Sequence, residues 1–373
     1  MRIGANPAKT QTGLEGYGLH RIIVPVYIPR LDGYFQHALD VLSLCLESLR
    51  VTTSKKAAVT IVFNGCAPAV IEEMERRLGW PDWPDQITLN RYNRGKIDSV
   101  VSAARGSFEP LITITDCDML FRDGWIEAVE EIFQNFPECG YVCPFPSPAG
   151  AWHCTSATMI GALARAELSY EKVVDDRDLD RFAQSIGRPD LFKPEHRDAQ
   201  WIVRRKNSVA CVGAGHYACT IRREVLAGMP AEPSLAALDG HADLRWLDLT
   251  PDRLGFWRLS TPQAWVNHMG NVPEAWMREE LAGLIEKGVS ETSWERGVPA
   301  AQRRWTGTIP TAVRGKITRL IQIMGARALS RLKPNTHNLS AYNPLPPRID
   351  RPGDRSALSS LLDERQSEGK EKM

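Results

Sequence analysis

The stretch Leu111-Ile-Thr-Ile-Thr-Asp-Cys-Asp118 decides how this chain folds. Its first five residues are apolar or β-branched and predict a buried β-strand, and two acids follow that strand at once. In open parallel sheets, ligands bind beyond the carboxyl ends of the strands. Two carboxylates at such an end therefore form a candidate ligand site.

Strand and helix signals alternate on both sides of that stretch up to residue 146. Apolar runs predict strands, and apolar residues at helical spacing predict helices between them. The predicted strands cover 21–27, 58–63, 87–92, 111–115 and 141–145, and the predicted helices cover 35–50, 68–78, 97–105 and 124–136. This alternation indicates an α/β fold with an open, mostly parallel sheet flanked by helices. No G-x-G-x-x-G follows the first strand, which disfavours a dinucleotide-binding Rossmann domain.

The signals weaken after residue 146. Proline, glycine and charged residues interrupt 147–207, and regular patterns return with 208–221, a short helix at 222–228, and strands at 255–260 and 263–268. We expect one domain made of two halves, with an α-helical C-terminal extension. The predicted organisation is an N-terminal segment 1–20, a first half 21–146, a second half 147–290, a basic amphipathic extension 291–335 and a disordered tail 336–373.

Composition narrows the class of protein. The 373 residues are 43% apolar and 24% charged, which is typical of a folded globular protein. The sequence contains no run of 18 uncharged apolar residues, so we expect no membrane span. Residues 1–20 lack the apolar stretch of a signal peptide. The eight cysteines form no C-x-x-C pair, so we expect reduced thiols and a cytoplasmic protein rather than a disulfide scaffold or a zinc site.

Charge is distributed unevenly along the chain. The total is +1; residues 296–333 hold nine Lys or Arg and no acid, and 334–373 hold six of each sign, which leaves about −8 for 1–295. An acidic body disfavours a nucleic-acid-binding protein. The basic stretch indicates a local contact with an anionic partner.

The D-x-D pattern gains its meaning from position. It occurs three times, at 116/118, 176/178 and 178/180, and the last two are expected to form a solvated face. Asp116 and Asp118 end a strand, where Mg²⁺ or Mn²⁺ can bind one or two carboxylates together with substrate phosphates. The alternative is that they only end the strand and cap the next helix. A second motif, Asn93-Arg94-Gly95-Lys96, places a glycine and a lysine at a helix start, which favours anions.

Taken together, these motifs resemble the family 2 type of inverting glycosyltransferases with the GT-A fold. The similarity covers 21–271, strongly in its first half and loosely in its second. It rests on motifs that stand in the family's order: Val24-Pro25-Val26-Tyr27, Leu44-Cys-Leu-Glu-Ser-Leu49, Ile61-Val-Phe-Asn-Gly65, Asn93-Arg-Gly-Lys96, Asp116-Cys-Asp118, Trp125, Gly213-Ala-Gly215, Ile221-Arg-Arg-Glu224 and 239–244.

The resemblance implies that 21–146 is the nucleotide-sugar-binding half, which holds a donor site, and that 147–290 is the acceptor-binding half of the same domain. Asp118 would hold the metal, Asp116 would lie near the ribose or bridge to the metal through water, and His268 would supply a third ligand, the alternative for His268 being an ordinary hydrogen-bonded histidine. The residues implied along the donor nucleotide are Pro25, Tyr27, Asn64, Asn93, Gly95, Lys96 and Asp116. The family often has an acid one residue before the Asn-Gly turn to read the base. Phe63 stands there, so the donor is left open between UDP and GDP types.

The resemblance also implies a catalytic base on the acceptor side. The family's Glu-Asp-x-Asp-Leu segment corresponds to 239–244, which reads Asp-Gly-His-Ala-Asp-Leu. Asp239, Asp243 and His241 are the candidates, in that order, against the alternative that they are helix-cap and surface residues. His216 is a weaker candidate near the acceptor.

The basic stretch has two interpretations. Residues 311–333 interleave apolar and basic side chains, which is compatible with an amphipathic helix on an anionic membrane surface. Such a contact would suit a lipid-linked saccharide acceptor and a peripheral position at the inner face of the membrane. The alternative is a helix packed on the domain with its basic face in water.

The predicted function is metal-dependent transfer of a sugar, hexosyltransferase-like, from a nucleotide-diphosphate sugar to a saccharide hydroxyl, in glycan or polysaccharide biosynthesis. Two alternatives remain. A nucleotidyltransferase is disfavoured because 28–33, Ile-Pro-Arg-Leu-Asp-Gly, is not the Gly-rich, Arg-containing loop of that class. A non-catalytic sugar-nucleotide-binding scaffold is disfavoured by the intact acids.

Overall fold

A computed structural model describes residues 3–10, 18–53, 57–79, 82–238, 240–288, 298–302 and 305–332, and within these the side chains of 326–332 are not described. Asp239 and the tail 336–373 lie outside the described residues. The strands are β1 (His20–Val26), β2 (Ala58–Asn64), β3 (Gln86–Asn90), β4 (Leu111–Thr115), β5 (Met119–Phe121), β6 (Cys139–Cys143), β7 (Leu168–Glu171), β8 (Gln200–Arg205), β9 (Ser208–Val212), β10 (Ala218–Arg222), β11 (Trp257–Ser260) and β12 (Val266–His268).

The helices fall between the strands and after them. They are α1 (Ala38–Thr53), α2 (Pro68–Leu78), α3 (Lys96–Arg105), α4 (Trp125–Asn135), α5 (Ser156–Ala164), α6 (Asp176–Ser185), α7 (Pro194–Asp198), α8 (Arg223–Ala227), α9 (Gly240–Asp243), α10 (Leu249–Arg253), α11 (Ala275–Lys287) and α12 (Thr311–Leu332). A π-helical turn, Leu244–Asp248, joins α9 to α10.

Ten strands form one sheet in the order β3-β2-β1-β4-β10-β6-β11-β9-β8-β7. Seven strands run in one direction, and β10, β9 and β7 run the opposite way. Helices α3, α4 and α5 pack against β1, β6 and β11. The expected fold class, α/β with an open, mostly parallel sheet flanked by helices, is therefore confirmed.

The first half matches the sequence pattern closely. The predicted strands and helices up to residue 146 are all present within a few residues of their expected bounds, and α2 and β4 match theirs. Pro25 lies near the carboxyl end of β1, beyond the last residue that pairs with β4, Ile23. Its missing N–H therefore breaks no hydrogen bond between β1 and β4.

The second half joins the same sheet. Strand β10 inserts between β4 and β6 and pairs antiparallel with both. The elements in 147–207, namely α5, β7, α6, α7 and β8, were not predicted. Strand β7 has four residues and pairs with β8, whereas β8 forms a tight hairpin with β9 in which Arg205 lies opposite Ser208.

A second, two-stranded sheet positions the acids. Strand β12 pairs antiparallel with β5, so that His268 lies opposite Met119. The Met269 N–H also donates to the Asp118 carbonyl at 2.9 Å. This pairing brings the segment after the last strand next to the D-x-D motif.

Helix α12 packs on the domain with its polar side. Arg314, Thr318 and Gln322 are buried, and Gly325 lets the helix approach the Trp201 ring, to which an added Cβ would lie at 3.1 Å. Arg314 donates hydrogen bonds to the carbonyls of Asp252 and Arg253 at the end of α10. The opposite side of α12 exposes Val313, Ile317, Leu320, Ile323 and Met324. Of the two interpretations, packing on the domain is found, but the face left in water is apolar as well as basic.

The sequence predicts free cysteines and no membrane-spanning helix. All eight cysteines are described and none forms a disulfide, as expected. Among the described residues, no helix has the length and apolar character needed to cross a membrane.

Candidate donor and metal site

An open cavity of about 440 Å³ lies at the carboxyl ends of β1, β2 and β4. Its lining is largely apolar with a few polar groups. It includes all the residues expected along the donor except Gly95, namely Pro25, Tyr27, Asn64, Asn93, Lys96 and Asp116, and it includes the expected metal ligand Asp118. Apolar walls with a few convergent polar groups are typical of small-molecule sites.

Lys96 lies between two carboxylates, those of Asp116 and Asp243. Its Nζ lies 2.5 Å from Asp116 Oδ1 and 3.8 Å from Asp243 Oδ1. Burial lowers the pKa of Lys96, but the charges of Asp116 and Asp243 more than offset this, so the pKa is raised and the side chain stays protonated. Burial raises the pKa of Asp116, and the charges of Lys96 and Asp118 act on it in opposite directions. One lysine thus balances two carboxylates.

Asp118 and His268 form the second polar pair. The distance from His268 Nε2 to Asp118 Oδ2 is 3.4 Å, and His268 Nδ1 lies 2.9 Å from Ser185 Oγ. Burial lowers the pKa of His268, whereas the hydrogen bond and charge of Asp118 raise it, and the net shift is upward. Asp118 Oδ1 is buried and has no hydrogen-bond partner. An unsatisfied buried carboxylate oxygen is costly unless a ligand completes it.

These groups fit a divalent cation that the donor helps to bind. Among the described residues no three His, Cys, Asp or Glu side chains form a ready metal cluster. Asp116 is already paired with Lys96, so Asp118 and His268 are the groups left to hold an ion. Mg²⁺ and Mn²⁺ sites of nucleotide enzymes commonly use one or two protein ligands plus substrate phosphates.

The loop before α3 is held by Asn64. Its side chain accepts from the Arg94 N–H at 3.0 Å and donates to Asn93 Oδ1 at 2.8 Å. Gly95 adopts φ +84°, and a Cβ there would lie 1.9 Å from the Ala236 carbonyl oxygen. Glycine is therefore required both for the backbone angle and for the close approach. The Asn-Arg-Gly-Lys motif is thereby fixed beside Asp116.

Aromatic rings also line the cavity. Tyr27 and Tyr34 pack edge-to-face on Phe35, and both tyrosines are exposed enough to meet a ligand. Phe63, which stands where the family has a base-reading acid, is buried in the core. No acid takes that place, so the cavity offers ring faces rather than a carboxylate to a base.

The three predicted base candidates are in different situations. Asp239 lies outside the described residues. His241 is exposed on α9. Asp243 is 6% exposed, and its Oδ1, which has no hydrogen-bond partner, lies near Lys96. Of the described candidates, the structure brings Asp243 to the acids.

One group next to the site was not found by sequence reasoning. Asp248, at the end of the π-helical turn, lies 2.6 Å from Arg258 Nη2 and 3.2 Å from His216 Nδ1. Single acids in helices carry no signal of this kind. The sequence hint nearest to it was the Gly215-His216-Tyr217 segment, in which His216 was a weaker candidate near the acceptor.

Of the other D-x-D acids, Asp176 and Asp180 lie on a solvated face as expected, whereas Asp178 is half-buried, and burial raises its pKa although Arg122 and a hydrogen bond from the Ala264 backbone lower it. Asp175 caps α6 by accepting from the Arg177 N–H, and Asp176 and Asp180 are about half exposed in ion pairs with Lys172 and Arg197.

No protein-family model matches the chain, and no curated protein matches it in sequence. Among solved structures the chain is similar to a mannosyltransferase, PcManGT from Pyrobaculum calidifontis in complex with GDP-Man and Mn²⁺ (17% identity, 86% of this chain and 82% of that chain covered, TM-score 0.40). It is also similar to glucosyl-3-phosphoglycerate synthase from Mycobacterium tuberculosis with Mg²⁺ and UDP (12%, 78% and 86%, 0.37) and to the inositol-1-phosphate CTP transferase from T. maritima (10%, 74% and 100%, 0.38). These similarities are too distant to transfer a substrate or a mechanism to this chain.

Proposed function

We propose that this chain is a metal-dependent glycosyltransferase of the GT-A type, similar to family 2. It would move a hexosyl group from a nucleotide-diphosphate sugar to a saccharide hydroxyl by a single inverting displacement. One observation carries the proposal: the Asp116–Lys96 and Asp118–His268 pairs lie together at a cavity that Tyr27, Tyr34 and Phe35 also line. A nucleoside diphosphate presents the matching chemistry, an aromatic base at one end and charged phosphates at the other.

Each residue has a role in this proposal. Asp118 and His268 hold Mn²⁺ or Mg²⁺, which when bound offsets the charge that develops on the departing nucleoside diphosphate. Lys96 and the Gly95 backbone lie along the phosphates, and Asp116 orients Lys96 and approaches the ribose. Pro25, Tyr27, Asn64 and Asn93 surround the nucleoside. The base is sought on the acceptor side, formed by 147–290, where Asp239, Asp243 and His241 are candidates.

A thermal-shift panel with UDP, GDP, dTDP and CMP, with and without Mn²⁺, tests the donor site. At a concentration of about one hundred times Kd a ligand stabilises by roughly 2.7 kcal/mol, which moves Tm by several degrees. We expect a Mn²⁺-dependent shift with one nucleotide and its loss in Asp118→Ala. Asp176→Ala removes an acid of another D-x-D pattern and is expected to keep the shift.

Three outcomes would contradict the proposal. A shift in wild type that is equal without Mn²⁺ and persists in Asp118→Ala would remove the metal site. Release of pyrophosphate from a nucleoside triphosphate and a sugar phosphate would show a nucleotidyltransferase. Nucleotide binding with no turnover of any donor would favour the non-catalytic scaffold.

We also propose that α12 rests on an anionic membrane surface, at the inner face of the membrane, and presents the site to a lipid-linked saccharide. Val313, Ile317, Leu320 and Met324 recur at helical spacing on the side opposite the buried Arg314 and Thr318. Lys316 and Arg319 are exposed beside them. An exposed apolar stripe with basic residues and no acids from 296 to 333 is complementary to anionic lipid.

Vesicle sedimentation tests this contact with vesicles of phosphatidylcholine alone and of phosphatidylcholine with phosphatidylglycerol. We expect binding to the anionic vesicles, weaker binding in high salt, and at least a tenfold loss in Leu320→Gln/Met324→Gln, because each exposed side chain buries apolar area worth about 1.5 kcal/mol or more. Ile285→Gln changes an equally exposed residue of α11 and is the control. Equal binding of the double variant, or a dimer that it dissociates, would overturn the membrane assignment.

A further inference from the structure

We infer that His216, oriented by Asp248, is the base that takes the proton from the acceptor hydroxyl. This inference rests on the proposed transferase function and names a residue outside the expected 239–244 segment.

His216 lies beside the acids through the backbone. The Asp116 N–H donates to the carbonyl of Tyr217, the next residue, at 2.7 Å. The loop 215–217 therefore borders the carboxyl end of β4, where Asp116 lines the cavity. The imidazole is 40% exposed, which leaves it accessible to an acceptor.

Asp248 fixes the ring. Its Oδ2 lies 3.2 Å from His216 Nδ1, and its Oδ1 accepts from Arg258 Nη2 at 2.6 Å. Both Asp248 and Arg258 are almost fully buried. A carboxylate so held keeps Nδ1 protonated and leaves Nε2 as the acceptor. The π-helical turn that carries Asp248 is a rare geometry often found at functional sites.

The charges around His216 come from several elements. Burial lowers its pKa, the hydrogen bond and charge of Asp248 raise it, Lys96 lowers it and Asp243 raises it, and the net shift is upward. The charge of His216 in turn acts on Asp116. His153 also faces Asp248, at 3.8 Å, and Arg258 lies behind it. A base with a pKa near the working pH is well matched to proton transfer.

The neighbouring candidates suit other tasks. Asp243 is 6% exposed and faces Lys96, so it can position that lysine but is hardly accessible to an acceptor. His153 presents Nε2 to Asp248 and is as exposed as His216, but it lies on the segment after 148–150 and not on the loop bonded to Asp116. His153 is therefore a matched control.

In the proposed step one bond forms, one bond breaks and one proton is transferred. His216 Nε2 takes the hydroxyl proton as the hydroxyl oxygen forms a bond to the anomeric carbon. The bond from that carbon to the diphosphate oxygen breaks, and its electron pair leaves with the nucleoside diphosphate. The products are the glycoside, the nucleoside diphosphate and a protonated His216, which returns its proton to solvent.

The first test measures release of nucleoside diphosphate from UDP-glucose and GDP-mannose with Mn²⁺, with water or a simple hexoside as acceptor. His216→Asn is expected to lower kcat by about 100-fold or more while keeping Mn²⁺-dependent nucleotide binding, because a positioned base contributes 10²–10⁴-fold. Asn can keep the bond to Asp248. His153→Gln is expected to keep kcat within about threefold, a change too small for loss of a base. If His216→Asn retains kcat and Asp243→Asn abolishes it, Asp243 is the base and the inference is overturned.

The second test needs no acceptor. Nitrogen-detected NMR titration, with His216 assigned from its loss in His216→Asn, is expected to show titration above 6.5 and the Nδ1–H tautomer at high pH. In Asp248→Asn, if folded, the titration moves down, and so does the acid side of the kcat–pH profile. An Nε2–H tautomer in wild type would overturn the inference. Failure of the transferase proposal is distinguishable, since wild type would then release no nucleoside diphosphate from any donor, whereas failure of this inference alone leaves wild-type turnover intact.

Discussion

Lys96 shows how one residue holds the candidate site together. It is largely buried between Asp116 and Asp243, at 2.5 and 3.8 Å. Two carboxylates so placed repel each other and are tolerated because the ammonium lies between them. The same charge arrangement is available to a diphosphate, which can compete for Lys96 when the donor binds.

A double-mutant cycle tests this charge balance. Lys96→Met is expected to cost about 3–5 kcal/mol of unfolding free energy, because it leaves buried carboxylates uncompensated. Lys96→Met/Asp116→Asn is expected to recover a large part of that loss in urea unfolding, without recovering nucleotide binding. Additive losses in the cycle would show that Lys96 and Asp116 are not coupled.

At the scale of elements, the C-terminal helix shows that amphipathicity does not tell which side packs. In α12 the buried side chains include Arg314, Thr318 and Gln322, and Ile321 packs against the core, whereas Val313, Ile317, Leu320, Ile323 and Met324 are exposed. Arg314 replaces apolar contacts by satisfying the last carbonyls of α10, Asp252 and Arg253. Helix α10 follows directly on the turn that carries Asp248, so the hydrogen bonds of Arg314 join α12 to the segment that positions Asp248.

Arg314→Met tests that connection. We expect a loss of about 2–4 kcal/mol of unfolding free energy, because two or more hydrogen bonds from a charged donor are removed and the α10 carbonyls stay buried. Lys316→Met, two residues on and exposed, is expected to change stability by less than about 0.5 kcal/mol. Equal effects of the two substitutions in chemical unfolding would contradict the capping role of Arg314.

At the scale of the whole molecule, buried titratable groups govern how stability changes with pH. Burial and the charges of Lys193 and Arg197 lower the pKa of His196 from 6.5 to about 4. Between pH 6.5 and 4 the unfolded chain therefore binds a proton at His196 and the folded chain does not. The free energy of unfolding falls as the pH falls through this range. Below this range the loss continues through Glu109 and Asp248. Burial opposes ionisation of both, but Arg21 and Arg258 hold their pKa values below the ordinary range.

Urea unfolding at pH 6.5 and 4.5 measures this slope. His196→Gln is expected to reduce the difference in unfolding free energy between the two pH values by about 2 kcal/mol, the linkage over this pH span for a pKa that folding moves from 6.5 to about 4. His216 and His268, whose pKa values are raised, are protonated in both states toward the lower pH and add little there. An unchanged difference in His196→Gln would assign the acid loss to the carboxylates alone.

The sequence by itself determined the first half of the fold and the place of the acids. Buried parallel strands read as continuous apolar runs, so β1, β2 and β4 and the position of Asp116 and Asp118 follow from local pattern. Tertiary structure alone decided the rest. Pairing of β12 with β5 brings His268 to Asp118 across 150 residues, and the π-helical turn brings Asp248 to His216. The inward side of α12 is polar because its partners are carbonyl groups at the end of α10. Each of these contacts joins two segments that are far apart in the chain. The periodicity of a segment shows which of its residues share a face, but it does not show which distant segment that face contacts.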